Sequence, residues 1–547
     1  MENFTNLFEQ SVKTCWNHPA LTDYQVATKT YGDLAGKIER LHIAWQAAGL
    51  QKGDKIALNA RSSSHWVEVF MGALSGGYVS VQLYDAFAPT VVQQLVNHSG
   101  AKIVYTNRKS FGDMNPAEMP EVIAFIDTDS YDVLHSTEAF AAACADAESI
   151  FHQRHPDGFT AADVAYHHRG MDEVCAIMYT SGSTGNPKGV MLTSRNFSWN
   201  VYELTCCLPF RKGENYVSIL PYAHIFGLTV DVITPLCVGM HTIILGRMPI
   251  PSVLGEIMRA YNPKLFFAVP LVLAKFVEYT VGSDMHSEEG QKLLAEYEQH
   301  PEYCAKLRAK VLDALGGKIE VFATGGAAIP PAIEKLLAFQ INMPFMTGYG
   351  MTECAPLISV GKVGSYKAKS CGEVVKSLEV RIDSEDAARI PGEVQIKGDC
   401  VFAGYYKNEE ATAATFTADG WFRTGDLGTI DSERTLFLVG RSKNMLLSTN
   451  GQNIYPEEIE VLLNTLPYVV ESVVVQRGHN LHALIVPNKE KMEQDGVTVE
   501  ALQGIMDGNI QDLNTKLPQF ALVRTFELRS EPFAKTPKGS IRRFMYE

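Results

Sequence analysis

Residues 180 to 189 read TSGSTGNPKG, a run of hydroxyls and glycines closed by a proline, a lysine and another glycine. Glycines let backbone N–H groups come close to a ligand, hydroxyls add donors, and Lys188 adds positive charge. That combination suits a phosphate cradle, with a triphosphate as its natural guest. The spacing GxxxxGK[ST] is not met, because counting from Gly182 puts Pro187 where the second glycine belongs and Gly189 follows Lys188. This is a phosphate loop of another kind. Four more stretches accompany it: LPYAHIFG at 220 to 227, VFATGGAAIPP at 321 to 331, MTGYGMTE at 346 to 353, and GWFRTGDLG at 420 to 428, the last followed by GRSKN at 440 to 444. Taken singly, each has a plain structural reading. Gly325 and Gly326 make a strand-end turn, Tyr349 a core aromatic, Asp426 a turn aspartate and His224 a satisfied histidine. Their joint occurrence in this order is what points to a single site.

The elements that must position these residues are readable from short apolar runs. DKIALNA, AKIVYT, EVCAIMYT, TIILG, KLFFAVP and KIEVFATGG read as buried strands alternating with helical stretches, which predicts α/β layers with parallel sheet. TSGSTGNPKG leaves the carboxyl end of EVCAIMY, where such sheets bind ligands. Residues 330 to 340 predict a packed helix opened by proline, and 285 to 315 a charged, solvated helical stretch. From about residue 444 the pattern changes to a short helix, the strands VVESVVVQ and LHALIVP, and a helix around 498 to 515. The expected architecture is a large N-terminal domain of layered sheets and helices, residues 1–443. A small mobile α+β domain, residues 444–547, follows it.

Bulk properties bound the function. A chain of 547 residues allows several domains, at roughly 150 residues each. The net charge of −14, spread along the chain, argues against nucleic acid as a partner. The ten cysteines form no CxxC pair and no cysteine–histidine zinc spacing, which reads as free thiols in a reducing cytoplasm. MENFTNLFEQSVKTCW carries acidic residues and no apolar run, so it does not read as a secretory signal. The most apolar region, 217 to 246, is interrupted by Pro221, His224, Asp231, Pro235 and His241, which argues against a spanning helix. Peripheral contact with a membrane stays open.

The phosphate loop together with GYGMTE and TGDLG resembles the AMP-forming adenylating superfamily, which holds acyl-CoA synthetases, adenylation domains and luciferases. The likeness runs from TYGDLAGKIERL at 30 to 41 to the C-terminal FAKTPKGSIRRF. LRAKVLDALGGKIEVFATGGAAI, GYGMTE and NMLLSTNGQNIYPEEIE look most like the long-chain fatty acid CoA ligase branch. The resemblance implies a two-step reaction with ATP, Mg2+ and coenzyme A: a carboxylate attacks the α-phosphorus and releases pyrophosphate, and the thiol then displaces AMP. It implies that Thr180, Ser181, Gly182, Ser183, Thr184, Gly185 and Lys188 hold the β- and γ-phosphates. Glu353 matches the magnesium ligand, with Thr180 beside the metal, and Thr352 lies by the α-phosphate. Gly325, Gly326 and Ala327 would let backbone approach adenine, with Tyr349 and Gly350 alongside. Asp426 would accept the ribose hydroxyls and Arg441 would donate. His224, Gly325 and Gly451 belong to the acyl side.

Two departures stand out. Asn444 occupies the hinge position where an aspartate is common. Ser540 occupies the place of a lysine that bridges carboxylate and α-phosphate, so the charge must come from Lys538 or Lys535, or the first step is impaired. Three readings follow: a fatty acid CoA ligase, an enzyme loading an acyl group onto a carrier protein, and a nucleotide- and acyl-binding protein with impaired adenylation.

Overall fold

The computed structural model describes residues 1–180, 187–448, 452–478, 480–536 and 541–547. Among these residues an eight-stranded sheet runs in the order Gly404–Tyr405, Lys188–Thr193, Val174–Thr180, Val79–Leu83, Lys55–Asn59, Ala101–Thr106, Ala124–Asp127 and Val133–Ser136. Its middle, from Val174–Thr180 to Ala124–Asp127, is parallel, and the outer pairings are antiparallel. Parallel neighbours need crossovers, and the helix Ser64–Ser75, buried along most of its length, supplies one between Lys55–Asn59 and Val79–Leu83. The segment 181–187 joins Val174–Thr180 to the antiparallel Lys188–Thr193, with Thr180 facing Lys188 in register. After that hairpin the chain enters the helix Ser194–Cys207 through a capping box: Asn196 N–H donates to Thr193 Oγ1 and Thr193 N–H donates to Asn196 Oδ1.

A second sheet carries the VFATGG and GYGMTE motifs. Leu265–Ala268, Val321–Gly325 and Phe345–Gly350 are parallel, and Leu357–Val360 and Glu373–Val374 add antiparallel edges. A third sheet joins Asn215–Ser218, His241–Ile244 and Pro19–Asp23 in parallel and adds Thr28–Thr30. The fourth, fully antiparallel and not foreseen from sequence, comprises Glu379–Asp383, Gly392–Lys397, Phe422–Ile430 and Leu436–Arg441. Past residue 443 a separate core forms around Ile454, Leu463, Leu481, Ile485, Met506 and Val523. It is built by helices Pro456–Leu463 and Val499–Lys516 on a three-stranded sheet.

The predicted strands fall within three residues of their runs. Two helical expectations need correction. Residues 285 to 315 are not one solvated stretch: Pro270–His286, Glu288–Ala295 and Pro301–Ala314 are separate helices, broken at the Ser287 cap and at Pro301, and Leu294, Cys304, Leu307 and Val311 are buried. The segment 330 to 340 is α-helical only over Pro331–Lys335 and continues as a π-helix over Leu336–Gln340.

The apolar region 217 to 246 folds into short pieces, and no helix among the described residues is long and apolar enough to cross a membrane. Its centre is a π-helix, Leu228–Ile233, anchored by the buried Asp231. One Asp231 oxygen accepts the Tyr216 hydroxyl at 2.6 Å. The other accepts Ser218 Oγ at 2.9 Å and the amides of Ile219 and Leu220 at 3.1 and 3.0 Å. Those four donors tie the π-helix to the strand end and to the turn that leads to His224.

Burial pushes the Asp231 carboxyl from 3.8 to about 7, against the pull of those donors. A carboxyl raised on folding stabilises the fold fully below its unfolded pKa, and that contribution is lost as pH rises through 7. Between pH 5.5 and 8 the loss amounts to about 2 kcal/mol. The fall in melting temperature between those two pH values should therefore shrink in Asp231→Asn, which cannot ionise, whatever the absolute stability of the variant. Melting curves at both pH values check this.

Candidate active site

One cavity of about 980 Å³ gathers most of the motif residues that the structure describes. At its polar end are Thr180, Lys188, Thr352 and Glu353. The turn Thr352–Cys354 is held from two sides: Asn200 Nδ2 donates to the Cys354 carbonyl at 2.9 Å, and Phe402 N–H donates to the Glu353 carbonyl at 2.9 Å. Sequence reasoning missed Tyr405 here. Its two-residue strand pairs with Lys188–Thr193, which inserts the ring beside both charged groups. Its hydroxyl donates to Glu353 Oε1 at 2.9 Å and its ring centroid lies 4.8 Å from Lys188 Nζ. Burial and the Glu353 charge push the phenol pKa up, so the tyrosine stays a donor. GYY at 404 to 406 has no spacing signature of its own; only the strand pairing reveals its place.

Gly325, Gly326, Tyr349 and Gly350 form the next part of the wall, and Ala327 is exposed just beyond it, outside the cavity lining. Two of these glycines are required for different reasons. Gly326 has φ +86° with open space where a Cβ would go. At Gly350 an added Cβ would fall 2.0 Å from the Pro356 carbonyl oxygen, because the chain folds back on itself there. Asp426 is buried directly next to the lining residue Gly425. Its Oδ1 pairs with Arg441 Nε at 2.7 Å and its Oδ2 accepts the Tyr349 hydroxyl at 2.5 Å. Burial raises the Asp426 pKa against the opposing pull of Arg441 and Tyr349. Each carboxylate oxygen accepts two bonds, so both retain a place for a further donor.

The other end of the cavity is apolar, lined by Leu204, Leu208, Phe226, Val230, Phe267 and Leu357. Phe267 stacks on Phe210 with centroids 6.1 Å apart and meets Phe226 edge-on at 6.3 Å. Gly325 joins the two ends, since a Cβ there would touch Phe226 at 3.8 Å and press to 2.9 Å on the Gly348 carbonyl. His224 also lines the cavity; its Nδ1 accepts the Phe226 amide at 3.1 Å and so caps the short helix that follows.

The C-terminal residues complete the rim with Lys443, Asn444, Thr536, Ile541, Arg542 and Arg543. Asn444 Nδ2 donates to Glu457 Oε1 at 2.5 Å. Lys535, one of the two lysines considered for the missing charge, pairs instead with Glu471 at 2.5 Å and is not among the lining residues. Ser181, Gly182, Ser183, Thr184, Gly185, Gly451, Lys538 and Ser540 lie outside the described residues.

The family model for AMP-binding enzymes matches residues 7–406, and that for the AMP-binding enzyme C-terminal domain matches 443–547. Long-chain-fatty-acid–CoA ligase 1 of Saccharomyces cerevisiae is 26% identical over 530 residues, covering 88% of this chain and 74% of that protein. The 4-coumarate–CoA ligase of Vanilla planifolia is 26% identical over 466 residues, covering 82% and 76%. Among solved structures, the anthranilate CoA ligase AuaEII in complex with anthranoyl-AMP superposes with a TM-score of 0.78 at 18% identity, covering 100% of this chain and 96% of that one. ATP-bound MatB from Rhodopseudomonas palustris gives a TM-score of 0.76 at 22% identity, covering 100% and 98%.

The two glycines separate strain from collision. Gly326→Ala should cost about 1 kcal/mol, the ordinary penalty for a side chain at positive φ. Gly350→Ala must displace backbone and should cost several times more, on the order of 3 kcal/mol. Denaturation curves of the two variants against the parent chain measure the difference.

Proposed function

Because the chain belongs to the AMP-binding enzyme family, we propose that it activates a medium- or long-chain fatty acid with ATP and transfers the acyl group to coenzyme A. The observation that carries the acid class is the apolar end of the cavity, whose walls from Leu204 to Phe267 present hydrocarbon and no charge, continuous with a polar end suited to phosphates. A polar acid buried there would lose its hydration without replacement partners, whereas an alkyl chain gains about 0.8 kcal/mol per buried CH₂.

In this reading Thr180, Lys188 and the loop between them hold the β- and γ-phosphates, and Thr352 lies by the α-phosphate. Tyr349 and Gly325–Gly326 flank the adenine. Asp426 takes the ribose hydroxyls on its remaining lone pairs, with Arg441 and Tyr349 opposing the upward pull of burial on its pKa. The donor set fits a magnesium ion. A hard cation that also binds substrate phosphates needs only one carboxylate from the protein. Glu353 would hold it, since the Tyr405 hydroxyl occupies only one of its oxygens. When bound, the ion supplies charge that offsets the phosphates. The C-terminal domain, residues 444–547, would rotate about Asn444 between the two steps. That motion would re-form the rim.

The deciding measurement is pyrophosphate release with ATP and magnesium over C2 to C18 acids, with and without coenzyme A. Release should peak at C8 or longer, and thioester should form only with coenzyme A. Acyl transfer only to a phosphopantetheine carrier would move the acceptor to a carrier protein. Nucleotide binding without release for any acid would leave a binding protein.

Tyr405→Phe keeps the ring beside Lys188 and removes the bond to Glu353. It should raise the magnesium concentration for half-maximal release about fivefold, near 1 kcal/mol for a bond to a charged acceptor. The KM for the acid should stay unchanged, and a magnesium titration of the initial rate reads both.

A further inference from the structure

The reaction proposed above, on which this inference rests, drives one anion onto another, so the first step needs a cation free to serve both. Most cations bordering the cavity are committed. Arg423 pairs with Glu393 at 2.7 Å, Arg441 with Asp426 at 2.7 Å, and Arg543 with the buried Glu460. Lys188 lies over the Tyr405 ring beside Glu353. Besides Lys188, which the proposed function gives to the β- and γ-phosphates, two cations lining the cavity form no ion pair with a carboxylate among the described residues, Lys443 and Arg542. Lys443 is less suited, because an ammonium is a compact point charge without the planar fork that engages two oxygens at once. Arg542 has an exposed side chain on a fixed main chain: its N–H donates to the Ala534 carbonyl at 2.8 Å, directly after the Lys535–Ile541 bridge. Its backbone is therefore set at the cavity wall while its guanidinium keeps its freedom.

We propose that Arg542 is a catalytic residue of the adenylation step, binding the fatty acid carboxylate and a non-bridging oxygen of the α-phosphate together. A guanidinium is a planar fork that engages two oxygen acceptors at once and stays charged when water is excluded, which suits it to this task better than an ammonium. In the step itself a carboxylate oxygen forms a bond to the α-phosphorus, and the bond from that phosphorus to the bridging oxygen breaks. The electron pair leaves with pyrophosphate. No proton moves, and Arg542 offsets the negative charge gathered around phosphorus. The assignment accounts for the uncharged Ser540 two residues earlier in the chain, and for the commitment of Lys535 to Glu471.

The test separates the two half-reactions in the full-length chain, with the acid that gives the fastest pyrophosphate release. ATP–pyrophosphate exchange reports adenylation, and thioester formation from synthetic acyl-adenylate and coenzyme A reports transfer. Arg542→Gln should lower exchange about 100-fold or more, within the range for removing one charge-stabilising donor. Transfer from supplied adenylate and the KM for ATP should stay within about threefold of the parent, and Arg542→Lys should recover part of the exchange. Exchange within threefold of the parent in Arg542→Gln overturns the assignment, and a simultaneous loss in Lys538→Ala would hand the role to that lysine. Equal loss of both half-reactions in Arg542→Gln and Arg542→Lys also overturns it, since a cation at the α-phosphorus acts in the first step alone. A parent chain that exchanges no pyrophosphate with any acid overturns the ligase reading itself, and this assignment with it.

Discussion

The buried carboxylate of Asp426 is the joint on which the site depends. It lies on an antiparallel sheet, faces its cross-strand neighbour Arg441, and receives the hydroxyl of Tyr349 from a different, mostly parallel sheet. A charge removed from water is tolerated only when its lone pairs are met, and here one cation and one phenol meet it from two sheets. The Tyr349 hydroxyl bond adds a side-chain tie to the backbone bonds that already join the two sheets through Gly372, Val374, Arg434 and Leu436. The strand that ends at Arg441 also leads directly into Ser442–Asn444 and the C-terminal residues that line the cavity.

The cavity divides its chemistry by the kind of element that supplies each wall. Strand ends and tight turns, which leave backbone N–H groups and short polar side chains uncovered, form the polar end at Thr180, Gly325 and Thr352. The helix Ser194–Cys207 and the π-helix Leu228–Ile233 turn Leu204 and Val230 toward the apolar end. A π-helix widens its turn by one residue and re-aims the side chains after it. In this chain Asp231 holds such a segment at the base of the apolar wall.

Much of this was legible in the sequence, and the limits were physical. Runs such as VCAIMYT and LFFA announce buried strands because both faces must be apolar, and glycines with hydroxyls announce backbone offered to a ligand. The antiparallel sheet that carries Asp426 and Arg441 was not foreseen, because half-exposed strands such as EVRID alternate weakly and resemble loops. Tyr405 and Asp231 gave no local signal either; each acts through partners far away along the chain, reached only after the sheets assemble. The helices between 285 and 315 were blurred together because charge on their outer faces hid the buried Leu307 and Val311. Arg542 was passed over because its value lies in having no carboxylate partner where Arg441 and Arg543 have one, a property of the folded neighbourhood.

The cavity wall is drawn from chain positions running from Thr180 to Glu547. No fragment of the polypeptide carries enough of it to hold a ligand, so whatever occupies the cavity binds the folded chain and hardly the unfolded one. Mass action then turns occupancy into lifetime. A ligand present at a hundred times its dissociation constant deepens the folded state by about 2.7 kcal/mol, which lowers the unfolded fraction offered to proteases about a hundredfold. Through this cavity, the supply of substrate would set how long each copy of the protein persists as well as how fast it works.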